Sequence, residues 1–314
     1  MSPTREQRIV GTLFLAPALL LFTIFVALPG LRALLYSLQK WDGLGEAEWV
    51  GLANFRALSS DDLFLPALQN NAILMVGAGS ITLALALFFA SLVHRGVRGA
   101  SVFRVAFFFP NIVASVAVAL IWLLLYSTTG FGAINALLRL IQRGLAALAT
   151  PLPEGINNVI ASFGDALPYA FTDTSHLIYA LIPMMVWTAV GFYMVLFLAA
   201  MQSIPEEYYE AATLDGATPR QQFFGITLPL IREVFVVGIV FFIISSAKFF
   251  DAIWVLENQY PTKDSHVLAT VLYQKVFTEY NIGYAAAVAV VLFVLVFLAT
   301  LITLRWSRKE ALEY

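Results

Sequence analysis

The sequence predicts an all-α, polytopic membrane protein: a single domain over residues 1–314, with six transmembrane helices and a polar helix–turn–helix segment outside the hydrocarbon. Three observations carry that prediction. Of 314 residues, 60% are hydrophobic and only 12% charged, against about a quarter charged in an average soluble domain, and the mean hydropathy is +0.82. Several apolar runs exceed the ~18 residues needed to cross a bilayer. One polar, acidic stretch, EEYYEAATLDGATPRQQFFGITLP at 206–229, interrupts them with two helix-start signals.

The first span is expected at 11–36. Arg5 and Arg8 precede it, as in a signal peptide, but the run is too long for a signal h-region and breaks at Pro29-Gly30 rather than at a cleavage-type site. It reads as a retained span. A loop at 37–69 leads to the second span, 70–93. Its Gly77-Ala78-Gly79 lacks the Lys-Ser/Thr of a phosphate loop and reads as a close-packing site, as small residues do in bilayers. After a short turn, 94–102, the third span covers 103–126 and contains Pro110-Asn111. A long loop, 127–176, includes an amphipathic helix at 136–148, with Leu137, Leu138, Leu140, Ile141 and Leu145 on one side and Arg139 and Arg143 elsewhere. That pattern suits the membrane interface, and Pro151 and Pro153 are expected to end it. The fourth span, 177–200, holds Pro183. The fifth and sixth are expected at 228–250 and 283–304, joined by a loop at 251–282.

The polar segment, 203–225, has its own punctuation. Ser203 with Pro205 and Glu206, and again Thr218 with Pro219 and Gln221, have capping-box spacing with proline near the first helical turn. Between them Asp215-Gly216 offers a residue that accepts the left-handed conformation, ending one helix and aiming the next. Glu210-Ala211-Ala212 places two small residues beside a carboxylate. Small residues permit close docking, and a half-buried carboxylate there would call for an arginine partner.

Orientation follows the positive residues near span ends. Arg5, Arg8, Arg95, Arg98, Arg104, Arg220, Arg305, Arg308 and Lys309 fall on one side, mostly in short segments. Lys40, Arg56, Arg139, Arg143, Lys263 and Lys275 are spread over much longer loops on the other. The denser side is expected in the cytoplasm, with both termini and the polar segment.

Chemistry-bearing groups are sparse. Cysteine is absent, which excludes disulfides and thiolate metal sites. His94, His176 and His266 lie scattered at loops or span ends, without helical ligand spacing, and read as interfacial or solvated. No metal, cofactor or catalytic residue is expected, and no basic patch argues for nucleic acid. Lys248 and Asp251, near the end of the fifth span, either pair across a turn or face a polar cavity. Trp122, Tyr126, Trp187, Tyr193, Phe249, Phe250 and Trp254 either stack on a sugar or serve as core and interface-belt residues. Pro110-Asn111 and Pro183 free backbone groups that can line a cavity. Trp122, Trp187, Tyr193, Lys248 and Asp251 are the candidates for a substrate path.

Glu210-Ala211-Ala212, Gly216, Ile226 and Leu228-Pro229 match, at every fixed position, the signature of permease subunits of binding-protein-dependent ABC importers. The flanking sequence from Ala199 to Ala217 resembles the carbohydrate-uptake branch, related to maltose, multiple-sugar and glycerol-3-phosphate permeases. Val50-Gly51-Leu52-Ala53-Asn54-Phe55, Phe103-Arg104, Gly132 with Asn135, Phe250-Asp251 and Gly283-Tyr284-Ala285-Ala286-Ala287 extend the likeness over nearly the whole chain. The resemblance implies a permease of the bacterial inner membrane with four kinds of partner. These are a cytoplasmic ABC ATPase dimer, a second and usually different permease, an extracytoplasmic solute-binding protein and the lipid bilayer. It implies that Glu210, Ala211, Ala212, Asp215, Gly216, Ile226, Leu228 and Pro229 couple this chain to the ATPase, which alone hydrolyses ATP, and that the cargo is a sugar or sugar-like solute. Two stretches depart from the pattern. Glu257-Asn258-Gln259-Tyr260-Pro261 stands where relatives carry Gly-Gly-Pro, and the stretch from Asn135 to Trp187 is longer than usual. A self-sufficient secondary transporter is the rival class, but it would show repeated halves with broken helices or paired buried charges.

Overall fold

The apolar runs become helices, and the breaks between them fall mostly where proline and glycine stand. A computed structural model describes residues 5–97, 99–149, 154–173 and 175–307. Arg98, Pro151, Pro153, Arg308 and Lys309 lie outside the described residues. Helix α1 covers 5–36, as Arg5–Phe22, a wide turn at Thr23–Ala27 and Leu28–Tyr36. A two-stranded antiparallel ribbon follows, β1 (Gln39–Lys40) and β2 (Glu48–Trp49), then α2 (Ala53–Leu58). The ribbon is an addition to the expected all-α fold: Asp42 accepts from the Leu44 and Gly45 N–H groups, and Gly43 takes φ +95, so a tight Asx-type turn folds the chain back.

Helix α3 covers 64–94, with a wide turn at Leu74–Ala78. Next come α4 (Ala100–Ile112), α5 (Ser115–Tyr126), α6 (Ala133–Ala149), α7 (Glu154–Asp165) and α8 (Leu177–Gln202). The polar segment forms α9 (Glu206–Leu214) and α10, which covers 219–230 with a wide turn at Phe223–Thr227. The chain ends with α11 (Arg232–Ala247), α12 (Asp251–Leu256), α13 (Leu268–Phe277) and α14 (Ile282–Ser307).

Among the described residues, five helical stretches are long and apolar enough to cross a membrane: Leu13–Tyr36, Phe64–His94, Leu177–Gln202, Arg232–Leu256 and Ile282–Trp306. The third expected span, 103–126, is not one rod. It is α4 and α5, meeting at 101°. Pro110 removes a backbone donor from the last turn of α4, and Val113 and Ala114 then go extended at ψ 136 and 135. Hydropathy cannot register such a bend, because both arms are apolar.

The chain divides into two compact units. One comprises the residues up to Leu65 with Val271–Leu295. In it the Ile282 and Gly283 N–H groups donate to Trp41 O at 3.0 and 3.2 Å. Gly283 packs against the Gln39 carbonyl, where a Cβ would overlap it. Asn54 Nδ2 donates to both Ser37 O and Gln39 O at 2.9 Å, and Lys275 lies 2.9 Å from Glu279 and 3.5 Å from Asp61.

The other unit comprises Pro66–Thr270 and the residues from Val296 on. Its core is α8. Leu177, Leu181, Met194, Phe197 and Met201 are fully buried, as are the small Ala78, Ala86 and Ala90 of α3. Gly191 lies against the Phe107 backbone of α4, and Gly79 against the Phe242 ring, so the close-packing role expected for Gly79 holds. Without a hydrophobic driving force between helices in lipid, such short approaches supply the packing. His266 departs from the solvated histidine expected: it is buried, with Nδ1 3.0 Å from Thr270 Oγ1.

Candidate functional site

The polar segment folds into a rigid elbow. Helix α9 ends at Asp215, and Gly216 takes φ +79. Ala217 N–H donates to Ala212 O at 2.9 Å and Gly216 N–H to Thr213 O at 3.0 Å, the two bonds of a Schellman turn. A Cβ on Gly216 would meet nothing within 4 Å. Glycine is therefore required by conformation rather than by space. Two residues on, Thr218 caps the next helix: its Oγ1 accepts from Gln221 N–H, and Gln221 Oε1 accepts from Thr218 N–H at 2.7 Å. The capping box expected there is present.

The first expected box is not. Ser203 closes α8, with its hydroxyl donating to Ala200 O at 2.8 Å, and Pro205 is the N-cap of α9. Ile204 precedes a proline, which disfavours the helical region, so the helix starts at Glu206 and Ser203 is too far back to cap it.

Side chains brace the elbow from within. Tyr209 of α9 and Thr227 of α10 share a hydroxyl–hydroxyl bond at 2.9 Å, with Thr227 buried. Gln222 Nε2 donates to Thr213 Oγ1 at 2.9 Å. From the end of α3, Arg95 Nη2 donates to Pro219 O at 2.9 Å, and the His94 ring lies 5.7 Å from that of Tyr209. A cleft of about 580 Å³ opens behind these groups, lined by His94, Arg95, Glu206, Tyr209 and Gln222 among others. On the outer surface Glu210, Ala211, Asp215, Gly216 and Pro229 are exposed, and Ala212, Ile226 and Leu228 are half-buried. Glu210 is exposed and makes no ion pair among the described residues, which leaves it open to an arginine of a docking partner. Leu214, at the tip of α9, is 89% exposed. The sequence reading missed Leu214, Thr227 and Arg95. For Leu214 a signal existed: an apolar residue on the last turn of a polar helix.

A second polar feature sits at the α4–α5 break. A cleft of about 260 Å³ is lined by Asn111, Ser115, Thr188, Ser245, Lys248 and Asp251, with Pro110 and Phe250. Lys248 and Asp251 thus face a shared cavity, and Asp251 Oδ2 accepts from Ser115 Oγ. Trp187, half-exposed, meets buried Trp122 edge-on at 6.1 Å, and Trp122 Nε1 has no partner among the described residues. Tyr193 is buried among Phe192, Phe197 and Phe242. It also borders a neighbouring cleft of about 480 Å³ with Thr188 and Phe249. Ser115, Thr188 and Ser245 carried no signal alone; only the bend gathers them. Among the described residues no group of three or more His, Asp or Glu could hold a metal ion.

Residues 82–309 match the family described as the binding-protein-dependent transport system inner membrane component. The chain belongs to this family. The permease is 33% identical to the diacetylchitobiose uptake system permease of Streptomyces coelicolor, over 89% of this chain and 76% of that one. It is 30% identical to the sn-glycerol-3-phosphate transport system permease of Escherichia coli, over 98% and 97%. Its fold is similar to a chain of a bacterial alginate ABC transporter solved with an alginate pentasaccharide-bound periplasmic protein. That likeness has a TM-score of 0.76 at 20% identity and covers 97% of this chain and 96% of that one. The molecule is a multi-pass membrane transport component, as its apolar helices require.

Proposed function

We propose that this permease is one of two transmembrane subunits of an ATP-driven importer for a sugar or sugar-like solute in a bacterial inner membrane. Residues 1–314 serve as one transmembrane permease domain. The bent pair α4–α5 counts as one span, giving six, and both termini and the elbow face the cytoplasm. A separate ATPase dimer hydrolyses ATP there. A second, different permease completes the path, and an extracytoplasmic binding protein delivers the solute.

The observation that carries this reading is the elbow: braced from within by Tyr209–Thr227 and Arg95–Pro219, it presents an outward face on which Glu210, Ala211 and Leu214 are exposed. Such an element transmits motion, because its two arms cannot move independently. Glu210 would meet a cationic group on the ATPase, where a charge-assisted pair gains strength on desolvation. Ala211 and Ala212 would allow close approach, and the exposed Leu214 would fill an apolar socket. Gly216 would hold the angle, while Asp215, Ile226, Leu228 and Pro229 would set the elbow's ends and its return to the membrane. ATP-driven closure then pulls the elbow and rocks the spans between inward- and outward-facing states. The cleft at the α4–α5 break, with Lys248 and Asp251 in its lining, is the place where cargo would touch this subunit; Tyr193 borders the neighbouring cleft, and Trp187 and Trp122 lie outside both linings.

The diacetylchitobiose relative favours a sugar. The glycerol-phosphate relative supports a phosphorylated polyol as the second reading. In transporter-containing vesicles, Glu210→Lys and Gly216→Val should abolish ATP-driven uptake while leaving the permease folded, and Gly216→Asn, which tolerates positive φ as a β-branched residue does not, should retain most of it. Wild-type uptake and normal ATPase binding in both disruptive variants would refute the assignment.

A further inference from the structure

Helix α6 presents an apolar stripe that is exposed among the described residues. Leu137, Leu140, Ile141, Leu145 and Leu148 recur at helical spacing, and each is exposed, Leu148 by 74%. The opposite side is occupied: Gln142 rests against Gly164 of α7, and Leu138, Arg139 and Ala146 are half-buried. The helix contains Arg139 and Arg143 and no acidic residue.

We infer that α6 lies in the membrane interface as a foot, with its leucine stripe in the acyl boundary and its arginines at anionic phospholipid headgroups of the outer leaflet. The choice of leaflet rests on the orientation proposed above. Three observations choose lipid over a protein partner. First, placement: α6 begins seven residues after α5 ends at Tyr126, and it is fastened there. Asn135, itself buried, donates to Ser127 O and Tyr169 O at 3.1 Å and accepts from Tyr169 N–H at 2.8 Å. The stripe therefore starts where a spanning segment leaves the hydrocarbon. Second, continuity: α5 also shows an uncovered apolar side, with Leu120 49% and Leu124 64% exposed, as a lipid-facing helix does. Third, composition: the stripe is purely aliphatic, whereas protein interfaces concentrate their binding energy in Trp, Tyr and Arg anchors. A helix of this kind settles roughly 5–10 Å into the headgroup–acyl boundary, drawn by apolar burial and by anionic lipid.

The chain contains no cysteine, which makes a scan direct. The complete transporter, with partner thiols removed, is placed in phosphatidylethanolamine–phosphatidylglycerol nanodiscs. A bimane label is attached to single cysteines replacing Leu137, Ile141, Leu145 and Leu148, or, as a second set, replacing Arg143 alone, which is exposed off the stripe. Nitroxide-bearing lipid should extinguish fluorescence at the first set and spare the second, and aqueous iodide should do the reverse. Iodide quenching along the stripe, or protection of the stripe from both quenchers, would overturn the inference in favour of a solvated helix or a protein contact. An impermeant thiol reagent, applied to sealed vesicles, reports the leaflet separately at the second set. Co-purification of the ATPase and solute uptake by the cysteine-free parent are read on the same preparation, so failure of the importer reading is distinguishable from failure of this one.

Discussion

Gly216 and Glu257 show how differently single residues bear on this permease. At Gly216 the obstacle to substitution is backbone conformation, since the space around it is open. An L-residue forced into the left-handed region costs about 1–2 kcal/mol, more than a surface hydrogen bond returns. Glu257 lies just beyond α12, outside the membrane-spanning stretch. Burial pushes its carboxyl above the usual range; nearby Asp173 pushes the same way, and the Ser265 hydroxyl only partly opposes them. One carboxylate oxygen is buried without a partner among the described residues. A carboxyl raised on folding weakens the fold once it ionises, so its cost is present at neutral pH and fades as pH falls through its folded value. Glu257→Gln should therefore raise the melting temperature of the purified permease near neutrality, and the gain should shrink towards the acidic end. A gain that is constant with pH would mean that packing, not charge, is responsible.

Elements show what the sequence could and could not disclose. The apolar runs of α1, α3, α8 and α14 were legible because each needs only composition and length, and the Thr218–Gln221 capping box because it is local. The Ser203 box failed because Pro205 governs Ile204, and through it the distance to Ser203. The α4–α5 bend was invisible in direction, although Pro110-Asn111 marked the place; the polar cleft, assembled from α4, α5, α8, α11 and α12, was invisible for the same reason. At this scale the elbow should depend on its caps. Thr218→Ala removes an N-cap worth about 1 kcal/mol, and hydrogen exchange of the Gln221 and Gln222 amides, which bond to Thr218, should speed accordingly while α8 stays protected. Unchanged exchange there would show that Arg95 and Tyr209 alone hold the arm. The cleft invites a second test. Ser115→Ala breaks the bond to Asp251 without adding bulk, and it should alter the apparent KM for solute more than the amount of folded transporter. An unchanged KM would remove this cleft from the cargo path.

At the scale of the whole molecule, the chain is organised as part of a larger machine. Leu13–Tyr36 buries none of its apolar window within the chain. The elbow's outer face and the α6 stripe are likewise exposed among the described residues, as surfaces that meet a partner or lipid would be. The elbow is the central case, because through it a soluble motor would move buried helices. Leu214 gives the most direct measurement, being the most exposed apolar residue of α9 in a chain without cysteine. In the assembled transporter, Leu214→Cys treated with a short thiol–thiol or thiol–amine crosslinker should join the permease to the ATPase subunit, and the crosslinked complex should lose ATP-driven uptake. A Leu214→Cys that stays freely reactive to water-soluble maleimide in the complete complex, with no crosslink to the ATPase and uptake intact, would contradict the account.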